Sequence, residues 1–139
     1  MLDINFEDID PISLNEDVLN GWITKVCVSE NHTFSDVALI FCSDDYLLEV
    51  NRTHLDHDYY TDIITFDYTE NQEVSGDLFI SIDRVKENAQ SFDVSFEHEL
   101  HRVIIHGILH LCGYKDKSES EEKMIRSKEN DALALISFT

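Results

Sequence analysis

His106 and His110 stand four residues apart in the run H-G-I-L-H-L-C-G-Y-K-D, which ends at Asp116. On an α-helix, side chains at i and i+4 share one face about 6 Å apart, so both imidazoles can turn a ring nitrogen toward one cation. Gly113 follows where helices commonly end in a left-handed residue, which lets the chain reverse and return Asp116 as a third donor. Two imidazoles and a carboxylate suit a divalent metal, and three protein donors leave a position open for water. The plainer reading is two histidines on the polar edge of a core helix; Gly113 and Asp116 favour the metal. A zinc protease of the H-E-x-x-H type needs a glutamate after the first histidine as general base, and Gly107 stands there instead.

The elements that must position these groups alternate between strands and helices. Ile4 and Phe6 alternate with polar neighbours as in a short strand, and Val18, Leu19, Trp22, Ile23 and Val26 repeat at helical spacing after Asn15. Residues 37–41 read as a buried strand, and Ser43 can cap a helix through Leu47, Leu48 and Asn51. Residues 63–66 and 78–80 read as two more strands separated by a polar loop over 71–75. A helix over 84–90 follows. A long helix from about 95 to 111 carries Leu100, Val103, Ile104 and Leu111 on its core side, and a last helix over 121–135 starts from the capping-box pair Ser118 and Glu121. The expected architecture is α+β, a single domain over 1–139 with a small mixed sheet of about four strands packed with helices, one of them the metal-bearing helix of a zinc-hydrolase-like site.

The motif also resembles a known signature. The run from His106 to Asp116 is similar to H-G-x-L-H-L-x-G-Y-D-H of the YbeY family of metal-dependent endoribonucleases, matching at His106, Gly107, Leu109, His110, Leu111, Gly113 and Tyr114. The signature's closing aspartate and histidine are replaced by Lys115 and Asp116, so the third family ligand would here be a carboxylate, a harder donor that tolerates other divalent ions besides zinc. A second block runs from Asn51 to Phe66 and resembles the family segment ending in T-[DN]-V-L-S-F through Asn51, Asp58, Thr61, Asp62 and Phe66. Where the family usually carries an arginine thought to meet RNA phosphate, this chain has Leu55. Gly76 to Ile80 falls on the family's G-[DE]-I-x-I strand, and Glu99, Leu100 and His101 fall on the E-L-x-H start of its metal-binding helix.

Composition bounds these readings. A chain of 139 residues is long enough for one core. It contains no apolar run near the roughly 20 residues that span a bilayer, and its start lacks the pattern of a signal peptide, so a cytoplasmic protein is expected. Cys27, Cys42 and Cys112 are odd in number and lack C-x-x-C spacing, which argues for reduced thiols. Cys112 could touch the metal or serve as a small apolar filler. The net charge of −19, from 29 acids against 10 bases, is unusual for a protein that holds nucleic acid. Positive charge gathers near the motif, however, in Lys115, Lys117 and Arg102, and the remaining acids read as a solvated face. His54 and His57 form a weaker pair without a third donor of their own.

The resemblance implies a single-strand-specific, metal-dependent endoribonuclease acting in ribosomal RNA processing, at the 3′ end of the small-subunit RNA and in ribosome quality control. Its partners would be single-stranded RNA, rRNA precursors and the ribosome or ribosomal proteins, with no membrane and no DNA. One zinc ion would be held by His106, His110 and Asp116, with His106 and Asp62 as catalytic candidates and Arg52 and Lys115 as RNA contacts. Asp62 could orient a water or a ligating imidazole, or simply cap a strand entrance; Arg52 could replace the missing family arginine or be an ordinary solvated one. A zinc-dependent hydrolase of an amide or small molecule, and a ribosome-associated binding protein with a structural zinc, remain the alternatives. A closed four-donor site would mark the structural case.

Overall fold

Asparagine and serine side chains start the helices of this chain. In the computed structural model, which describes residues 1–136, the side chains of Asn15, Ser43, Ser81, Ser95 and Ser118 each accept a backbone N–H from the first helical turn, satisfying donors that the helix itself leaves open. They open α1 (Glu16–Ser29), α2 (Asp44–Leu55), α3 (Ile82–Ser91), α4 (Phe96–Leu111) and α5 (Glu119–Leu133). Ser118 and Glu121 complete the capping box expected from their spacing.

The strands are β1 (Leu2–Phe6), β2 (Thr33–Cys42), β3 (Ile63–Asp67) and β4 (Glu73–Ser81), in the spatial order β1-β2-β4-β3. β1 and β4 run parallel to β2, while β3 pairs antiparallel with β4 and forms an edge. The sheet is therefore mixed, as its four strands and helical crossovers led us to expect. Two strand starts differ: β2 begins at Thr33 and not near Val37, and β4 begins at Glu73 and not near Leu78, so Ser75 lies in the strand and not in the polar loop read from sequence. Its backbone pairs with β2 whatever the polarity of the side chains. The reversal is made instead by Asn71 and Gln72, both left-handed, with the Glu73 N–H donating to the Glu70 carbonyl at 2.8 Å, a tight hairpin turn that matches strand twist.

Consecutive side chains of a strand point to opposite faces, and the two faces are covered differently. Ile63 packs with the main core, which α1, α4 and α5 build over Leu39, Leu78 and Ile80, whereas Ile64 joins Cys42 and Leu47 beneath α2. The Trp22 indole N–H donates to the Ala132 carbonyl at 2.8 Å and ties α1 to α5.

Gly107 sets the height of α4 over the sheet. A Cβ there would lie 2.8 Å from Ile63 Cδ1 and 2.8 Å from Leu78 Cδ1, so the missing side chain lets α4 sit this close to β3 and β4. The same contact means that position 107 faces the core, where no side chain could act as a base on a metal-bound water. No helix among the described residues is long and apolar enough to cross a membrane.

Candidate metal centre

α4 delivers His106 and His110, and the turn after it delivers Asp116. The Gly113 N–H donates to the His110 carbonyl and the Tyr114 N–H to the Leu109 carbonyl, both at 3.0 Å, with Gly113 at φ +105°. This paired reversal is the Schellman ending that a left-handed glycine permits. It places the Tyr114 carbonyl 2.8 Å from His110 Nδ1. The Tyr114 hydroxyl in turn donates to Glu30 Oε1 at the end of α1, and Lys128 of α5 stands 3.7 Å from Glu30 Oε2. Burial, and the bond to Glu30, push the Tyr114 phenol up to about 12, so it stays a donor at any physiological pH.

The three expected donors converge. His106 Nε2 and His110 Nε2 are 2.9 Å apart, and Asp116 Oδ2 lies 3.3 Å from the first and 3.4 Å from the second. Their ligating atoms all fall within 4.8 Å of one another. The tautomers follow from the outer partners: His106 Nδ1–H donates to Glu129 Oε2 at 2.7 Å and His110 Nδ1–H donates to the Tyr114 carbonyl. With both Nδ1 atoms committed as donors, both neutral rings direct an Nε2 lone pair inward, beside a carboxylate oxygen. Three acceptors facing one point repel one another unless a cation lies between them, so the donor set fits a divalent metal. No fourth His, Cys, Asp or Glu joins the cluster among the described residues.

Glu129 is the residue that sequence reasoning missed. It lies on α5 with Ile125, Ala132 and Leu133 on the buried face, and its side chain is only 5 % exposed. Oε2 accepts from His106, while Oε1 accepts from Arg102 Nη1 at 2.9 Å and has Arg126 Nη1 at 3.6 Å. Burial alone would raise its pKa; the bonds from His106 and Arg102 more than reverse that and hold the carboxyl below its usual range. For His106, burial works against protonation, but the Glu129 bond and charge outweigh it and move the ring upward in the metal-free protein. A glutamate on the apolar stripe of an amphipathic helix was the available signal.

The other expected residues scatter. Asp62 lies at the entrance of β3 and lines the same cavity as His106; burial pushes its carboxyl upward. Lys115 is exposed on the metal turn. Arg52 stays on the outer face of α2, held by Asp58 at 2.5 Å and by Glu49 at 3.8 Å, and is not among the cavity residues. Arg102 does stand at the site, but Glu129 and Asn130 occupy its guanidinium. His101 turns to the Glu97 carbonyl and packs on Trp22. Cys112 packs against the main core cluster that contains Cys27, so it fills the core side of the turn, and all three cysteines are free.

Comparisons with known proteins agree with this geometry. Residues 3–137 match the family described as Endoribonuclease YbeY. An Endoribonuclease YbeY from Phocaeicola vulgatus is 51 % identical over 138 residues, covering 99 % of this chain and 100 % of its own length. Another from Parabacteroides distasonis is 52 % identical over 130 residues, covering 94 % and 92 %. A solution structure of a Thermotoga maritima protein, 29 % identical, superposes with a TM-score of 0.66 over 96 % of this chain and 87 % of its own. By sequence along nearly its whole length, and by the fold that sequence adopts, this chain belongs to the YbeY family of endoribonucleases.

Proposed function

We propose that this endoribonuclease is a single domain over 1–139 that cleaves single-stranded RNA with one zinc ion held by His106, His110 and Asp116, and that it matures ribosomal RNA at the small-subunit 3′ end and removes defective ribosomes in the cytoplasm. The observation that carries the metal reading is the convergence of a carboxylate oxygen and two imidazole Nε2 atoms whose outer nitrogens are already committed as donors. Three donors with no fourth among the described residues favour an open site over a closed structural one.

When bound, zinc would supply an acidified water and positive charge against the scissile phosphate. The chain's own groups divide the remaining tasks. Glu129 and the Tyr114 carbonyl fix the two imidazole rings in orientation and tautomer. Asp62, with its raised pKa and its place in the same cavity as His106, is suited to hold or accept a proton near the reacting phosphate. Lys115, exposed on the metal turn, is the candidate phosphate contact beside the site, and Arg52 is a more remote one along the RNA path. Endoribonuclease activity implies RNA as substrate; rRNA precursors, ribosomal proteins and the ribosome are the proposed partners.

The test is cleavage of a fluorescently labelled single-stranded RNA by the purified chain, alongside His110→Ala and a duplex of the same sequence. Cleavage of the single strand alone, abolished by chelation, restored by zinc and absent in His110→Ala, is the expected result. Cleavage that survives both chelation and His110→Ala would overturn the assignment.

A further inference from the structure

The cavity that opens beside the metal triad contains more than the triad needs. It has a volume of about 370 Å³, within the range of small-ligand sites. His106 and Asp116 of the triad line it together with Asn88, Phe92, Glu99 and Ile125, among others. Phe92 caps α3 and is 58 % exposed as a residue. Ile125 is buried and adds apolar surface to the lining.

Glu99 is the unusual member. It is only 4 % exposed, yet among the described residues its carboxylate makes no hydrogen bond and no ion pair. The nearest guanidinium, Arg102, is directed to Glu129 and Asn130. A carboxylate largely withdrawn from bulk water is costly without donors; this one faces the cavity with none from the chain, so a ligand there can supply them. It lies on the same stripe of α4 as His106, seven residues earlier, which is about 10 Å along the helix. That separation is comparable to the span from phosphate to base edge within one nucleotide.

Resting on the ribonuclease reading above, we infer that this cavity receives an unpaired guanine of the RNA, its face stacked on Phe92 and its N1–H and N2–H donating to the two oxygens of Glu99, while the attached phosphate reaches the metal triad. Carboxylates outnumber guanidiniums in the lining, which repels a phosphate from the depth of the cavity but welcomes a neutral edge made of donors. Guanine alone among the four bases offers two adjacent N–H donors on its Watson–Crick edge; adenine, cytosine and uracil each place an acceptor beside the donor. Because that edge is the one used for pairing, the pocket admits only an unpaired base, which gives single-strand selectivity a structural origin.

The experiment measures binding of cleavage-resistant 2′-O-methyl heptanucleotides to the zinc-loaded protein by fluorescence anisotropy: all uridine, the same with one central guanosine, and the same with one central inosine, which lacks the N2 amine. The parent should bind the guanosine oligonucleotide about tenfold more tightly than the all-uridine one, with inosine losing most of that gain. Glu99→Gln, whose fold is checked by its thermal transition, should bind guanosine and inosine oligonucleotides alike and leave all-uridine binding unchanged. Phe92→Ala, at an exposed position, should weaken every oligonucleotide by about tenfold. Equal binding of the three by the parent, a guanine preference that survives Glu99→Gln, or full affinity in Phe92→Ala would overturn the pocket while leaving metal-dependent RNA cleavage standing. Failure of all three to bind would overturn the ribonuclease reading together with it.

Discussion

Glu129 Oε2 accepts a hydrogen bond from His106 Nδ1 at 2.7 Å, across the interface between α5 and α4. The carboxylate thereby decides which nitrogen of His106 is free to face a metal, and Arg102 at 2.9 Å on the other oxygen keeps the carboxylate charged and oriented. Partners of this kind are worth 10- to 100-fold in metal affinity. Glu129→Gln, which keeps the shape and an acceptor oxygen but loses the charge, should weaken zinc binding by about that factor in a competition titration against a chromogenic chelator, with the fold intact. Glu129→Ala strands the Arg102 charge at a mostly buried position and should cost about 3 kcal/mol of stability as well. Unchanged zinc affinity in Glu129→Gln would mean that the contact is structural only.

Asp116 Oδ2 stands almost equidistant from the two imidazole Nε2 atoms, at 3.3 and 3.4 Å. As the third donor it should be needed for tight binding, so Asp116→Ala is expected to lose most zinc on dialysis. Asp116→His replaces one donor type with another that zinc accepts equally and should retain about one ion per chain by metal analysis. Its side chain is 42 % exposed, so neither change should lower the melting temperature of the metal-free protein by more than a few degrees. A parent-like zinc content in Asp116→Ala would transfer the third position to another group.

Much of this arrangement was legible in the chain because it is local. The caps at Asn15, Ser43, Ser95 and Ser118 act within one helical turn, and His106, His110 and Gly113 lie within two turns of each other, so their spacing alone carries the geometry. The order β1-β2-β4-β3 was not legible, since strand pairing joins segments such as residues 33–42 and 73–81 that only tertiary contact brings together. The burial of Glu129 and Glu99 was hidden for a different reason. In a chain with 29 acids, a glutamate reads as part of a solvated face, and only the packing of α4 against α5 reveals that these two are buried. The surroundings of Arg52 were equally hidden: the fold pairs its guanidinium with Asp58 on the outer face of α2.

Gly107 is where the fold and the site meet. A methyl group at 2.8 Å from both Ile63 Cδ1 and Leu78 Cδ1 must push α4 away from the sheet or force those side chains off their rotamers. Overpacking of this kind costs about 1–3 kcal/mol. Gly107→Ala should therefore lower the urea midpoint, with the slope of the transition unchanged, despite the better helix propensity of alanine. A midpoint equal to or above that of the parent would show that the helix-to-sheet contact is loose enough to absorb a methyl.

Glu99 should be a stability liability whose sign can be read from pH. Burial pushes its carboxyl above the usual range; Arg102 and Arg126 pull it down, Asp62 and Glu129 push it further up, and burial dominates. A carboxyl whose folded pKa exceeds its unfolded one costs nothing below the unfolded value of about 4.3. As pH rises through the unfolded value and then the folded one, the unfolded chain ionises more readily and stability is lost. Glu99→Gln removes the ionisation, so it should raise the melting temperature at pH 7 by a few degrees, on the order of 1 kcal/mol. That advantage should shrink steadily and vanish near pH 4. Thermal denaturation of parent and variant from pH 4 to pH 8, both metal-free, makes the comparison. A variant less stable than the parent at pH 7 would show that the Glu99 carboxylate has a donor within the protein, and that it is retained for structure and not for a ligand.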